Sequence, residues 1–467
     1  MKRILYLLLV VVLISTSCDD FLEVEHPSVV SGDSFWKSEQ HLQGGLNGVY
    51  NGYLRLFARG EKYWDWGGGR SDNYTPRKDY FYSENLLHNI LEPEGGFGDF
   101  GTIYGMIAKA NTFLANYDKV EGVSQEKVDN YVGQVLALRA LAYFIATKVW
   151  GDVPYITTPV TSLQDDIYPV RTSQDTIYEK LIIPDLIKAV SLLKKESVNY
   201  YVNYYGASAM LMDVYMWRHQ YDKAIETFAN FGNKYKLVPM KKWGGLFKFG
   251  GAISKTSAVE NIFVLHWDDL TLKPTRSGVF NNFTYGNPYF HVSNKWAEAA
   301  LELGDARLYA TCDTTVADMG WIDGPSWKFI GADYSPQDYT QEHDFHIPIY
   351  RWADIITLHS EALAQTVGVT EEAIVGLNAV RVRAGLPAKT VADFADKDEL
   401  IDAILKERQV EFYAEAKRWY DLVRTGKVFE VMNPICTYPL TTEGLLWPIS
   451  ERDMIVNENL VQNEAYK

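Results

Sequence analysis

Apolar positions recur in steps of three and four through most of the chain, the period of a helix with one buried face. Leu42, Leu46, Val49, Tyr53 and Phe57 form a one-sided stripe. A cleaner stripe follows in Val128, Tyr131, Val135, Leu138, Ala142, Ile145 and Val149, and Gly151-Asp152-Val153-Pro154 stops it. Thr172 and Asp175 have the spacing of a capping box for a third helix through Ile177, Leu181, Leu186, Ala189 and Leu193, which Pro184 is expected to kink. Residues 206–218 and 221–232 read as two helices joined at His219-Gln220. A similar pair is predicted at 352–365 and 370–384, closed by Gly385 and Pro387. A long helix is then expected from Lys397 to about Arg424, ending at Gly426.

Small and aromatic positions in the first of these pairs (Ala209, Tyr215, Tyr221, Ala224, Phe228) approximate a tetratricopeptide helix pair. Such pairs bury their apolar faces only by stacking on neighbours, so the pattern predicts a mostly α protein built as a curved helical scaffold. Two stretches, 59–101 and 241–345, do not fit it. Both are rich in Gly, Asn, Asp and aromatics, and within them only 261–267 has the look of a strand. Loops of this length in a compact domain usually carry function, which makes these the expected ligand-facing regions.

The first 17 residues stand apart. Lys2 and Arg3 precede an unbroken apolar run, 4–14, too short to span a bilayer, and Ser15-Thr16-Ser17 leads to Cys18. This is the anatomy of a secretory signal, and residues 13–18 resemble a bacterial lipobox in which Cys18 becomes the lipidated first residue. The expected organisation is therefore a signal peptide over 1–17 and one domain over 18–467, with a polar tether at 18–33. No later stretch reads as membrane-spanning. With 60 acidic against 45 basic side chains the net charge is −15, so nucleic acid is not an expected partner; phosphate binding needs a cationic face. Three cysteines, Cys18, Cys312 and Cys436, exclude a disulfide scaffold and a four-thiolate zinc site, and leave open one bond between Cys312 and Cys436. Aromatics reach 14%, more than one core needs, so some are expected to face a ligand.

Six ordered blocks then become recognisable. Phe21-Leu22-Glu23-Val24 and Pro27 follow Cys18, with Phe35-Trp36 and Gly48-Val49-Tyr50 after them. Arg139-Ala140-Leu141-Ala142-Tyr143-Phe144 leads to Trp150-Gly151-Asp152-Val153-Pro154-Tyr155. Pro348-Ile349-Tyr350-Arg351-Trp352-Ala353-Asp354 leads to Ser360-Glu361-Ala362-Leu363. Glu407-Arg408-Gln409-Val410-Glu411-Phe412 leads to Arg418-Trp419-Tyr420-Asp421-Leu422-Val423-Arg424-Thr425-Gly426. The chain ends on Trp447-Pro448-Ile449, Asn457, Asn459-Leu460 and Gln462-Asn463-Glu464-Ala465-Tyr466. From Cys18 to its last residue the chain resembles the SusD/RagB family of outer-membrane nutrient-binding lipoproteins of the Bacteroidetes. It departs from the family at Ala416 (usually Gly), Trp352 (Tyr), Ser450 (Pro) and Ser360 (Ala), all read as conservative for packing. The resemblance implies about four tetratricopeptide-type helix pairs and an irregular ligand-binding half with few short strands. It also implies a location on the outer membrane facing the exterior, and a SusC-like TonB-dependent transporter as partner, over which the lipoprotein sits as a lid. Asp19 and Asp20 are similar to the family's acidic export signal.

Candidate ligand residues come from the aromatic loops. Trp64, Trp66, Asp72, Asn73, Tyr74, Arg77 and Tyr82 lie in the first irregular stretch, with Asp79 and Tyr80. Tyr285, Tyr289, Trp321 and Trp327 lie in the second, where Trp296 falls on a helix-like run and reads as core. Sugar rings stack their C–H faces on indoles and phenols, while Asp, Asn and Arg bond hydroxyls. The expected function is non-catalytic capture of an oligo- or polysaccharide for delivery to the transporter. Peptide cargo, as in the RagB branch, is the alternative. A glycosidase using Asp65 with Asp72 or Asp79 ranks last, because it needs two carboxylates facing each other across the bond. Gly96-Phe97-Gly98-Asp99-Phe100-Gly101 spells a dinucleotide fingerprint, but Glu92, Pro93, Glu94 and Asp99 crowd it with charge and no βαβ unit follows. His343 and His346 read as a solvated loop pair lacking a third ligand, and no metal or cofactor is expected. Arg408 lies on the apolar stripe of Ile401, Leu405, Phe412 and Trp419, so it needs a partner, either Glu411 or Asp354.

Overall fold

The first stripe forms α1 (Glu39–Leu54), which buries Leu42, Leu46, Val49, Tyr50 and Tyr53 and runs on through a wider π-type turn at Arg55–Arg59. The computed structural model describes residues 35–59, 62–76, 81–95, 98–162, 167–196, 198–247, 259–267, 290–293, 296–297, 300, 304–311, 328 and 345–467. α2 (Gly101–Leu114) lies against α1, and α3 (Gln125–Trp150) against α2. α3 stops at Gly151, whose φ of +74° suits a residue without Cβ. It is long and apolar enough to cross a membrane, but 89% of its most apolar window is buried inside the protein, which makes it a core helix.

The third helix departs from expectation in detail. Ser173, not the Thr172–Asp175 box, caps it, its Oγ accepting from the Thr176 amide. Pro184 sits in the first turn of α4 (Ile183–Leu192), where its missing N–H is tolerated. The irregularity falls just upstream, as a π-type turn at Tyr178–Ile182. α5 (Tyr204–Trp217) starts on Asn203, whose Oδ1 accepts from the Tyr205 and Gly206 amides at 3.0 Å each. α6 (Tyr221–Phe228), α7 (Trp352–Val367) and α8 (Val375–Arg383) follow. Each helix from α1 to α8 packs on the next, giving four successive pairs, and α9 (Lys397–Glu411) lies across α7.

The long helix expected to reach Arg424 is broken. α9 ends at Glu411 and α10 (Arg418–Arg424) begins a separate helix. Between them Ala414 and Ala416 take φ of +57° and +54°. The reason is tertiary: the Glu411 and Tyr413 carbonyls, which a helix would use, accept instead from Lys328 Nζ at 3.1 and 2.7 Å, and Arg351 Nη2 also reaches Glu411 O at 2.8 Å.

Among the described residues six strands make three antiparallel ribbons. β1 (Tyr74–Pro76) pairs with β5 (Phe290–Val292), with Tyr74 opposite Val292 and Pro76 opposite Phe290. β2 (Val153–Pro154) pairs with β3 (Arg171–Thr172). β4 (Asn261–Trp267), the expected strand, pairs with β6 (Phe345–Arg351) through a register irregularity near Phe263. The ribbons thus tie the first irregular stretch to the second, and the start of the second to its end.

β6 corrects the reading of His346. It is a fully buried strand residue, its ring 5.5 Å from Tyr200 and 5.7 Å from His266, while His343 lies outside the described residues. Burial, and secondarily His266, pushes its imidazole down to about 3, and burial pushes His359, stacked on Phe228, down to about 4. Both are neutral in the folded state while the unfolded chain protonates near the ordinary 6.5. Their contribution to stability is therefore full above pH 6.5 and is lost as pH falls toward those lowered values. Each should remove up to about 2 kcal/mol between pH 7.5 and 5, from about 1.4 kcal/mol per pKa unit. Urea midpoints at the two pH values test this: H359F, which keeps the stack, should show the smaller drop, and an unchanged pH slope would refute the assignment.

Candidate functional site

The Gly-rich segment is placed by contact with the α9–α10 turn. A Cβ on Gly67 would lie 2.2 Å from the Ala416 carbonyl oxygen, and one on Gly69 would lie 3.0 Å from the Phe290 ring. The glycines let two backbones meet, and the aromatics between them are driven inward. Trp64 and Trp66 are 1% and 0% exposed; Trp64 Nε1 donates to Phe57 O at 2.8 Å, and Trp66 packs edge-on against Trp150 at 5.1 Å. Tyr74 sits between Phe290 and Tyr413, both 5.3 Å away, and Asn73 is buried. The structure therefore corrects the expectation for Trp64, Trp66, Asn73 and Tyr74: an indole or phenol enclosed in core offers no face for a sugar to stack on. Trp296 is core, as expected, its Nε1 donating to Gln409 O at 3.2 Å.

Asp72 is corrected on electrostatic grounds. Its carboxylate accepts from Arg418 Nε and Nη2 at 2.9 and 3.1 Å and from Gln409 Nε2 at 2.9 Å, at only 9% exposure. With Arg418 it forms one of several groups of buried ion pairs, referred to together as the ion lattice. Among the described residues, nine cations (Arg307, Lys328, Arg351, Arg381, Arg383, Arg408, Lys417, Arg418, Arg424) meet nine carboxylates (Asp72, Glu260, Asp305, Asp354, Glu361, Glu407, Glu411, Glu415, Asp421). Equal numbers leave no net charge, which is the condition for burying so many. Arg408 takes Asp354 at 2.8 Å, one of its two expected partners, and Asp421 at 2.8 Å. Glu411 instead faces Arg383, Arg351 and Arg307; burial alone would raise its carboxyl, but these guanidiniums outweigh it and hold the group well below the usual range. Burial would likewise raise Asp354, and Lys417 with Arg408 overcomes it.

Of the three acids weighed for a glycosidase pair, Asp65 and Asp72 are thereby used up, and Asp79 lies outside the described residues. Asp72 is locked to Arg418. Asp65 is 1% exposed and accepts from the Tyr82 hydroxyl at 2.8 Å. The dinucleotide fingerprint also has a packing explanation: a 3-10 turn at Pro93–Gly95, not a strand, precedes it, and a Cβ on Gly98 would strike the Pro448 carbonyl oxygen at 2.1 Å. Among the described residues no group of three or more His, Cys, Asp or Glu is arranged to hold a metal ion. Cys436 is a free thiol accepting from Asn89 Nδ2 at 3.1 Å, and burial raises its pKa.

Among the described residues of the first irregular stretch, a short helix, Phe81–Leu87, stays at the surface beside the β1–β5 ribbon. It turns Ser83 and Leu86 inward, so Phe81 points out, 83% exposed, with Tyr82 half-buried next to it. Tyr82, Asn85, Leu86, Ile90, Leu91, Glu92 and Trp447 line a shallow cleft of about 60 Å³ there. That volume admits the edge of a ring rather than a whole sugar, so a ligand would lie across the face. Of the expected site residues within the described set, only Tyr82 is on this face. Phe81 was missed; its signal was its place between Tyr80 and Tyr82, out of step with inward Leu86. Arg77, Tyr285, Tyr289, Trp321, Trp327 and the lipidation site Cys18 lie outside the described residues, as do Asp79, Tyr80 and Cys312.

The chain can now be set beside known proteins. The family described as "Starch-binding associating with outer membrane" matches residues 20–216, and the "SusD family" matches residues 325–466. SusD-like protein P38 of Formosa agariphila is 29% identical, aligned over 99% of this chain and 98% of its own length. A SusD-like protein of Bacteroides ovatus is 20% identical over 91% of this chain and 82% of its own. Among solved structures, a SusD superfamily protein of Bacteroides vulgatus superposes with a TM-score of 0.79 at 18% identity, covering 92% of this chain and all of that one. A laminarin-binding SusD-like protein superposes at 0.76 and 20% identity, with 92% and 100% covered. The structural likeness is one of fold: a mostly helical scaffold with few short strands. The two sequence matches read into that scaffold from both ends and leave most of the second irregular stretch between them. With relatives aligned end to end as well, the chain belongs to the SusD/RagB family.

Proposed function

We propose that the protein is a non-catalytic saccharide-capture lipoprotein of the outer membrane, anchored by a lipid on Cys18 and facing the exterior. It passes an oligo- or polysaccharide to a SusC-like TonB-dependent transporter, the partner implied by the family. One observation carries the saccharide reading: an exposed aromatic, Phe81, stands beside the ribbon that joins the two aromatic-rich stretches. The laminarin-binding structural relative supports the choice of ligand class. Burial of Asp65 and Asp72 supports a binding role over a hydrolytic one. Arg77, Tyr285, Tyr289, Trp321 and Trp327 are proposed to complete the face.

Calorimetric titration of the chain lacking its signal and Cys18, against laminarin, starch and a wider polysaccharide panel plus a peptide digest, tests this. Saturable binding of one glycan without new reducing ends is expected. Phe81→Ala should weaken it about tenfold, equivalent to about 1.4 kcal/mol, with an unchanged melting temperature because the ring is solvent-facing. Heat from peptides alone would replace this reading with peptide uptake.

A further inference from the structure

A second, larger cleft, of about 460 Å³, opens between α1, α3 and the residues leading into α5, and shares no residue with the Phe81 face. Its size is that of a small-ligand site. The most informative group in it is Gln134, only 4% exposed. The Val202 amide donates to the Tyr50 hydroxyl at 2.8 Å, so that hydroxyl must spend its own proton on Gln134, whose Oε1 accepts it at 2.8 Å. The acceptor end of the amide is thereby fixed, and its NH₂ end, without a partner among the described residues, is the donor that Gln134 contributes to the cleft lining.

The other walls are complementary in kind. Tyr201 is 46% exposed and held edge-on by Tyr50 at 5.3 Å, and Tyr131 bonds Gln43 through its hydroxyl at 3.3 Å. Charges on the lining cancel: Lys127 and Lys194 stand against Glu39 and Glu196, with Lys127 paired to Glu39 at 2.8 Å. A fixed amide donor, phenol rings and no net charge suit a neutral polyhydroxylated ligand better than an ion, whose desolvation nothing here would offset. We propose that this cleft is a second saccharide site, on the helical scaffold, with Gln134 bonding a hydroxyl and Tyr201 carrying a ring face.

The inference rests on the saccharide reading for its probes. Neutral hexasaccharides of the laminari, malto, xylo and manno series would be titrated calorimetrically into the parent, F81A, and F81A carrying in addition Y201A or Q134E, the last keeping the acceptor for Tyr50 while removing the donor. At least one sugar should bind F81A still, and Y201A and Q134E should each weaken that residual binding about tenfold, with melting temperatures confirming the fold. Binding that F81A abolishes outright, or a residual F81A binding that neither Y201A nor Q134E weakens further, would overturn the cleft and leave the capture reading intact. Silence from every sugar toward the parent would overturn both.

Discussion

Arg351→Met should remove about 3–5 kcal/mol of stability, the scale of breaking a buried ion pair from one side. Arg351, 1% exposed, donates through Nε and Nη2 to Glu415 at 2.9 Å each, through Nη1 to Glu260 at 3.0 Å and to Glu411, and through Nη2 to Glu411 O at 2.8 Å. Methionine fills similar volume, so the loss is electrostatic rather than a cavity. It strands three carboxylates with only Arg307, Arg383 and Lys328 in reach, and Lys328 is itself pushed down to about 8 by burial. The sign of the pH dependence follows. In the variant Glu260 and Glu411 lose a guanidinium that lowers them, so their folded pKa values move up and the penalty shrinks as acid protonates them. Urea midpoints of parent and variant should therefore differ widely at pH 7.5 and converge toward pH 5, while K127M, which breaks an exposed pair with Glu39, should move little. A loss for R351M no larger than that of K127M would mean the lattice is not what holds β6 to the α9–α10 turn.

That lattice marks the limit of what the sequence discloses. α1, α3, α5 and α7 were legible because their apolar stripes repeat every three or four residues, a local property. The break at 412–417 was not, since Phe412 and Trp419 continue the stripe while the Glu411 and Tyr413 carbonyls are claimed by Arg351 and Lys328, whose nearness to this turn no local pattern records. The candidate site suffered the same way. An aromatic, Gly-rich segment was correctly seen as unusual, but whether Trp66 faces a ligand or Trp150 depends on how closely residues 65–69 approach residue 416. Arg408's need for a partner could be argued from its stripe; the identity of Asp421 as the second partner could not. Phe81 was within reach, because inward Leu86 fixes which side of its short helix is wet.

Gly67→Ala should be the other severe change, costing at least about 3 kcal/mol, the upper end for overpacking. The added methyl would meet the Ala416 carbonyl oxygen at 2.2 Å and Tyr420 Cε2 at 2.8 Å, closer than packed atoms come. Backbone, unlike a flexible side chain, cannot step aside. The turn that carries this carbonyl is pinned by Lys328 on Tyr413 O and by Arg418 on Asp72. Gly48→Ala is the matched control: Gly48 lies inside α1 with no atom within 4 Å of the new methyl, so alanine should add about 0.5–1 kcal/mol there. Ala416 completes the argument. It was read as a conservative departure from the family's glycine, but its φ of +54° is a conformation alanine holds only under strain. Ala416→Gly should therefore raise the melting temperature slightly, relieving about 0.5–1 kcal/mol net of the glycine's extra chain entropy. It removes a methyl and leaves the carbonyl, so it cannot rescue Gly67→Ala. If the double variant melted near the parent, the clash would lie with the Ala416 side chain and the proposed backbone contact would be wrong.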